Sequence, residues 1–140
     1  MGAKLWQPEL TAIKMTYDFA VHGGAVGTIA LGNLPDGFIV TKLVAHAETA
    51  LVGGGTFIVG EDGSGDADGY FTDLDAVAIA TPLAGTGALV FDPPATDAAD
   101  IGNEKMHLVV AAKDGVQVTV GTTAYTAGKI HFYFMGVQSY

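Results

Sequence analysis

The 140-residue chain contains no cysteine and no arginine. The absence of cysteine excludes disulfides and thiolate chemistry. The six basic residues are all lysines scattered along the sequence, and fifteen acids give a net charge of −9. A surface that binds nucleic acid needs clustered cations, so we expect no direct contact with nucleic acid. The negative charge also disfavours anionic membrane surfaces, and no apolar run has the length of a membrane span, so we expect no membrane partner.

Patterns that carry catalysis or bind metals are also missing. The four histidines lack the spacing of a zinc site, no serine lies in a GxSxG nucleophile motif, and no glycine-rich loop has the form of a dinucleotide site. His46 and Glu48 share one face of a predicted strand, but two such residues do not make a catalytic constellation. We therefore expect no catalytic residue, no cofactor and no metal site, and we predict that the protein is not an enzyme.

The length of the chain predicts one domain over residues 1–140. Hydrophobic residues make up 49% of it, which is enough to build a core. Residues 1–10 lack the apolar segment of a signal peptide, so we expect no export leader. Pro8 favours an extended backbone, and we expect these ten residues to form an extended N-terminal arm. Trp6 in this arm either folds back on the core or anchors a partner, since tryptophan is favoured in binding hot spots.

Twenty glycines divide the sequence into short apolar runs, a pattern typical of strands rather than helices. In residues 13–21, apolar and polar side chains alternate with the period of two of a half-buried strand. Residues 38–49 fit one long strand or two strands joined by a bulge, and residues 72–79 fit either a helix or a strand. The other predicted strands are residues 25–31, 56–59, 88–91, 106–112, 116–120 and 129–138. About eight antiparallel strands at this spacing predict an all-β, single-domain sandwich or barrel.

One turn predicts a specific pairing of strands. Asp114 and Gly115 lie between the predicted strands at residues 106–112 and 116–120. An Asp-Gly pair tolerates the positive φ angles of a type I′ turn, which joins neighbouring antiparallel strands. The sequence therefore predicts a hairpin here.

The segment 60–75 contains six acids and resembles a calcium loop. Aligned on an EF-hand, positions one, three, five, six and twelve are occupied by Ser64, Asp66, Asp68, Gly69 and Asp75. The first ligand should be aspartate and the last glutamate, and no amphipathic helices flank the segment. We therefore predict an acidic turn, in which glycines supply positive φ angles and aspartates cap their own backbone. Tyr70 and Phe71 are then expected to re-enter the core or a contact surface.

The last predicted strand is apolar or aromatic on both faces. Ile130, Phe132 and Phe134 point to one side, and His131, Tyr133, Met135 and Val137 point to the other. One face of a sandwich strand normally meets solvent. A strand that is apolar on both faces is covered either by its own loops or by another chain. We therefore choose His131, Tyr133, Met135 and Val137 as candidates for an interface between copies of this protein.

Three segments together resemble small structural proteins of tailed-phage heads. They are LPDGFIVTKLVAHAETAL, TFIVGEDGSGDADGYFTDL and VQVTVGTTAYTAGKIHFYFMGV. The shared features are a strand ending in Val59-Gly60, an acidic turn closed by Asp68-Gly69-Tyr70-Phe71, and Thr126-Ala127-Gly128-Lys129-Ile130 leading into an aromatic strand. From about residue 34 onward, the chain is similar to the jelly-roll cement, or decoration, proteins of phage capsids, in particular those of short-tailed Bordetella-type phages.

This resemblance implies a jelly-roll β-sandwich that binds the outer surface of the virion capsid. Its partners would be the major capsid protein and itself, as a homodimer or homotrimer, and it would cement neighbouring capsid subunits against internal DNA pressure. We add Leu5, Trp6 and Pro8 in the N-terminal arm as candidate capsid contacts.

Two other functional classes stay open at this point. The first is an adhesion or carbohydrate-binding module of a phage tail or fibre, with calcium held in the acidic segment. The second is a cupin-like enzyme, which needs clustered histidines that the spacing here does not offer.

Overall fold

The computed structural model describes residues 11–53, 55–62, 68–71, 88–90 and 115–139. These residues form seven strands and one short helix. In chain order they are β1 (Thr11–Asp18), α1 (Phe19–His22), β2 (Gly27–Asn33), β3 (Phe38–Gly53), β4 (Thr56–Glu61), β5 (Ala88–Val90), β6 (Gly115–Gly121) and β7 (Tyr125–Gln138). Within the described ranges, no helix is long and apolar enough to cross a membrane.

The strands form two antiparallel sheets, which confirms the all-β prediction. One sheet has the order β1-β7-β3-β5 and the other the order β2-β6-β4. The pairs are nested along the chain, because β1 pairs with β7, β2 with β6 and β3 with β5. Seven strands lie in the described residues, against the approximately eight expected. A complete jelly-roll connectivity depends also on segments outside those residues, so it stays a prediction.

The core lies between the two sheets. The inward side chains of β7, Ile130, Phe132 and Phe134, are fully buried. Phe57 of β4 lies at the centre of an aromatic cluster, with ring centroids 5.1 Å from Tyr17, 5.8 Å from Tyr125 and 6.4 Å from Phe132. The contacts with Tyr17 and Tyr125 are edge-on and that with Phe132 is stacked, and aromatic pairs of this kind add to the stabilisation that comes from burying apolar area. The alternation of side chains along β7 therefore separates a core face from an outward face.

β1 is shorter than the predicted strand at residues 13–21. The Asp18 side chain accepts a hydrogen bond of 2.9 Å from the amide of Ala20 and caps the four-residue helix α1. The helix ends at Gly23, whose φ of 73° lies in the left-handed region that glycine tolerates. An aspartate that bonds to the backbone two residues ahead competes with strand pairing, which is why the alternating pattern beyond Asp18 did not form a strand.

β3 is a single long strand with register shifts, so the first of the two alternatives for this segment holds. Its pairing with β7 shifts between Val40 and Lys42 and again between Ala47 and Gly53. β7 begins four residues before the predicted boundary, at Tyr125. The sequence signal is weak there because Thr126 and Ala127 are not strongly apolar, and because Gly128, with a φ of 143°, interrupts the pattern.

The predicted hairpin before β6 is wrong. β6 pairs with β2 along one edge and with β4 along the other, over nearly its whole length. A strand has only two edges, so no edge is left for residues 106–112, which lie outside the described residues. The Asp-Gly signal is local, and it carries no information about which distant strands fill the two edges of β6.

The side-chain faces of β7 can be tested with two adjacent aromatic positions. Phe132→Ala should lower the free energy of unfolding by about 3–5 kcal/mol, because it opens a cavity in a fully buried site. Tyr133→Ala should lower it by only about 1–2 kcal/mol, since that ring is half-buried on the outward face. Urea unfolding of both variants measures the difference. Equal losses would contradict the assignment of the two faces.

Candidate interaction site

The outward side of the four-stranded sheet, here called the outer face, is formed by alternate residues of β1, β7 and β3. The register aligns them in three rows: Ala12, Met135 and Lys42; Lys14, Tyr133 and Val44; Thr16, His131 and His46. All four interface candidates taken from β7, namely His131, Tyr133, Met135 and Val137, lie on this face. Their role in binding another copy stays a prediction.

His131 is the centre of a polar network on the outer face. It is only 7% exposed, and both ring nitrogens have partners. Nε2 lies 2.6 Å from the carboxylate of Glu48, and Nδ1 lies 2.8 Å from the hydroxyl of Thr16. An ionised carboxylate only accepts, so Nε2 carries the hydrogen in this bond. His46 stacks beside the ring, with centroids 6.1 Å apart.

A lysine extends this network towards the end of β1. Lys129 Nζ lies 3.3 Å from Glu48 Oε1 and 3.8 Å from Asp18 Oδ2. The hydrogen bond from His131, followed by the bond from Lys129, lowers the pKa of Glu48 below its ordinary value. Glu48 is half exposed, so these ion pairs are weak individually. They link side chains of three neighbouring strands on the outer face.

The apolar members of the outer face are partly covered by the protein itself. Lys14 places its ammonium group 5.8 Å from the centroid of the Tyr133 ring, a cation–π contact. Tyr133, Met135 and Val137 are all half-buried rather than exposed. β7 is a central strand, so side chains from β1 and β3 flank its outward residues. This arrangement accounts for part of the two-sided apolar pattern without a second chain.

Sequence reasoning identified the pair His46 and Glu48 but missed their cross-strand partner. Thr16, Glu48 and Lys129 surround His131 only because β1, β7 and β3 pair in one register. No local spacing in the sequence encodes that register. The sequence contained one hint, namely that His46 and Glu48 share one strand face. In the structure, His131 of β7 pairs with His46 on that face.

Other predicted site residues lie partly or wholly outside the described residues. Leu5, Trp6 and Pro8 are outside them, as are residues 63–67 and 72–75 of the acidic segment. The described part of that segment fits the prediction that Tyr70 and Phe71 re-enter the core, because each is 1% exposed. Over residues 11–53, 55–62, 68–71 and 115–139, no group of three His, Cys, Asp or Glu side chains is placed to hold a metal ion.

A second surface lies where β1 leads to β2, β3 to β4 and β6 to β7. We call it the loop end. Tyr125 holds the three connections together: its amide donates to the carbonyl of Gly24 at 2.8 Å, and its hydroxyl donates to the carbonyl of Gly55 at 2.7 Å. The Tyr17 hydroxyl donates to the carbonyl of Gly23 at 2.9 Å. Tyr17 and Tyr125, whose rings are buried, thus donate hydrogen bonds to the backbone of the β1–β2 and β3–β4 connections.

The large hydrophobic side chains that are most exposed in the described part of the chain all belong to the loop end. Val21 is 75% exposed, Val26 58% and Val52 53%. Val21 lies in α1, Val26 just before β2 and Val52 next to the last residue of β3. The sequence analysis did not predict this surface. It placed Val21 and Val26 within strands and made no prediction for Val52.

Comparison with known proteins gives one structural match of high quality. The sequence matches no protein-family model and no curated protein. The structure is similar to a chain of the cyanophage Pam1 capsid asymmetric unit, with a TM-score of 0.65 and 20% sequence identity. The alignment covers 98% of this chain and 94% of that chain. At this identity the likeness establishes a shared fold.

The Glu48 network predicts a pH-dependent contribution to stability. The folded-state pKa of Glu48 is lowered, so the stabilisation is complete above the unfolded value of about 4.3 and is lost as the pH falls through the folded value. The melting temperature of Glu48→Gln should therefore lie below that of the wild type at pH 6–7, and the gap should shrink as the pH falls below about 4.3. Asp36→Asn removes the same charge from an exposed turn, and it should show no such gap. A gap of constant size across this pH range would contradict the electrostatic origin.

The hydroxyl of Tyr125 should contribute measurably to stability. Tyr125→Phe removes the bond to Gly55 and leaves a carbonyl without its partner, so we expect a loss of about 1 kcal/mol. Tyr133→Phe is the matched control, because that ring lies on the outer face and its hydroxyl bonds to no described residue. Urea unfolding compares the two variants. Equal stability of Tyr125→Phe and the wild type would show that Gly55 is satisfied in another way.

Proposed function

We propose that this protein is a structural component of a tailed-phage virion that binds the outer surface of the capsid and cements neighbouring major capsid proteins. The observation that carries the proposal is the likeness to a chain of the cyanophage Pam1 capsid asymmetric unit. Coverage is nearly complete in both directions, so the two chains have almost the same length. The sequence resemblance to phage cement proteins supports the same role through different features, namely turns and strand ends.

The nested strand pairing supports the jelly-roll part of the proposal. A jelly roll folds a long antiparallel hairpin over itself, so that its first strand pairs with its last and its second strand with the last but one. The pairs β1·β7, β2·β6 and β3·β5 follow this rule. Jelly rolls are frequent in viral capsid proteins, although the fold alone does not decide the function.

The proposed mechanism is differential binding and needs no catalysis. A protein that binds the assembled shell more tightly than it binds free subunits stabilises the shell by the difference in binding free energy. The net charge of −9 suits an outer position, because packaged DNA would repel an acidic protein. In this role the protein is not an enzyme and holds no cofactor.

Two contacts belong to the proposal as candidates. His131, Tyr133, Met135 and Val137 on the outer face would join copies into a homodimer or homotrimer. Leu5, Trp6 and Pro8 would reach the capsid from the N-terminal arm. The first contact is supported by the half-buried aromatic and apolar side chains of β7, and the second by the preference for tryptophan in binding hot spots.

Co-sedimentation of the purified protein with undecorated mature heads of its own phage tests the proposed function. We expect saturable binding that EDTA does not change, and heads that resist heating better once they are decorated. Trp6→Ala in the same assay tests the arm, and light scattering of the free protein gives the number of copies per particle. Absence of binding would contradict the proposal. Absence of binding together with a calcium-dependent rise in melting temperature would favour the adhesion module instead.

A further inference from the structure

The three connections of the loop end contain no charged residue, although Asp18, Glu48 and Lys129 adjoin them. Residues 19–28, 49–57 and 121–128 contain no Asp, Glu, Lys or Arg. At the chain average of 15%, about four of these 27 residues would be charged. Three exposed valines project from these segments. These connections therefore carry exposed valines and no charge, although the protein as a whole has a net charge of −9.

The described charges lie outside these three segments, most of them at a distance from the loop end. Asp18 caps α1 and forms, with Lys129 and Glu48, an ion-paired cluster on the outer face next to the loop end. Lys14 and Lys42 lie farther along the outer face, Asp36, Glu61 and Asp62 at the opposite end of the sandwich, and Asp68 in the turn before Tyr70. We call that opposite end, where β2 leads to β3 and β4 ends, the acidic end. The protein is therefore polarised along its strands. A partner that meets the loop end has few charges to desolvate, whereas a partner at the acidic end would meet carboxylates.

The backbone of the loop end is closely packed, which makes it a preformed surface. A Cβ atom on Gly24 would overlap the carbonyl oxygen of Tyr125. A Cβ atom on Gly55 would overlap the carbonyl oxygens of Gly121 and Thr123. Together with the bonds from Tyr125, this packing holds the three connections against one another. Binding through a preformed surface loses little conformational freedom.

We infer that the loop end is the surface that seats this protein on the capsid shell, with Val21, Val26 and Val52 against an uncharged, apolar surface of capsid protein. This inference rests on the proposed function and adds an orientation to it: the loop end faces the shell and the acidic end faces solvent.

The size of the surface favours a shell over a second copy of this chain. Three partly exposed valines among glycines, alanines and threonines offer a small apolar area, whereas a stable two-chain interface buries roughly 800 Å² on each partner. On a shell, the loop end is one of several contacts that the same rigid body makes with neighbouring subunits. Contacts made by one body reinforce one another, so each of them can be small.

Head binding by charged variants of the exposed valines tests this inference. Val21→Asp and Val52→Asp should each weaken binding to undecorated heads about tenfold or more, because a buried carboxylate would have no partner. Asn33→Asp is the matched control, since it adds the same charge at an exposed position next to the acidic end, and it should bind within about threefold of the wild type. Val26→Thr is nearly isosteric and uncharged, and should weaken binding by about threefold.

The dependence on salt gives a second readout that does not rely on variants. Binding through the loop end involves no ion pairs, so raising NaCl from about 50 to 500 mM should change the affinity less than about threefold. Contact through the outer face, which carries all the lysines in the described residues, would weaken strongly with salt. A steep fall in affinity would therefore show that a charged surface, and not the loop end, makes the dominant contact with the shell, which overturns the inference.

The outcomes separate the inference from the function it rests on. If the wild type does not bind heads, the proposed function fails and the inference fails with it. If the wild type binds and all three valine variants bind equally well, the function stands and the loop end is not the contact. If the valine variants instead change the mass of the free protein, the loop end joins copies of this chain, which also overturns the inference.

Discussion

The pairing of β7 with two neighbours positions almost everything else in this molecule. β1 fills one edge of β7 and β3 fills the other, so the backbone of its whole apolar segment is bonded within the sheet. The inward side chains then form the centre of the core, and the outward ones lie between side chains of two flanking strands. The position of His131 between Thr16 and Glu48 follows from that register. This central position partly covers the outward side chains of a strand that is apolar on both faces.

The same strand also separates two surfaces of different physical character. Its first residue, Tyr125, ties three loops into an uncharged end, while His131 and Lys129 organise ion pairs on the outer face. Charged contacts give an interface specificity and orientation more than affinity. Apolar contacts give affinity that salt hardly changes. The proposed capsid role would use both, because it requires one position on a repeating surface and a lasting contact there.

Much of the fold could be predicted from local sequence patterns, and the failures have a common physical cause. Alternation identified β1 and the apolar faces of β7, and glycines marked the breaks between strands. The end of β1 was missed because Asp18 caps a helical turn. The hairpin before β6 was wrong because β2 and β4, distant in sequence, fill both edges of that strand. The network around His131 was missed for the same reason, since register between distant strands has no local signal.

The uncharged end of the molecule could not be predicted from the sequence, for a related reason. The uncharged segments 19–28, 49–57 and 121–128 are far apart along the chain, and each alone looks like an ordinary glycine-rich connection. They meet because β1, β3 and β6 end, and β2, β4 and β7 begin, at the same end of the two sheets. The uncharged connections thus come together in space, with exposed valines at one end of the sandwich and the cluster of Asp18, Lys129 and Glu48 beside them on the outer face. In an acidic protein, connections without charge are the part of the surface at which close approach to an apolar surface requires the least desolvation of charged groups.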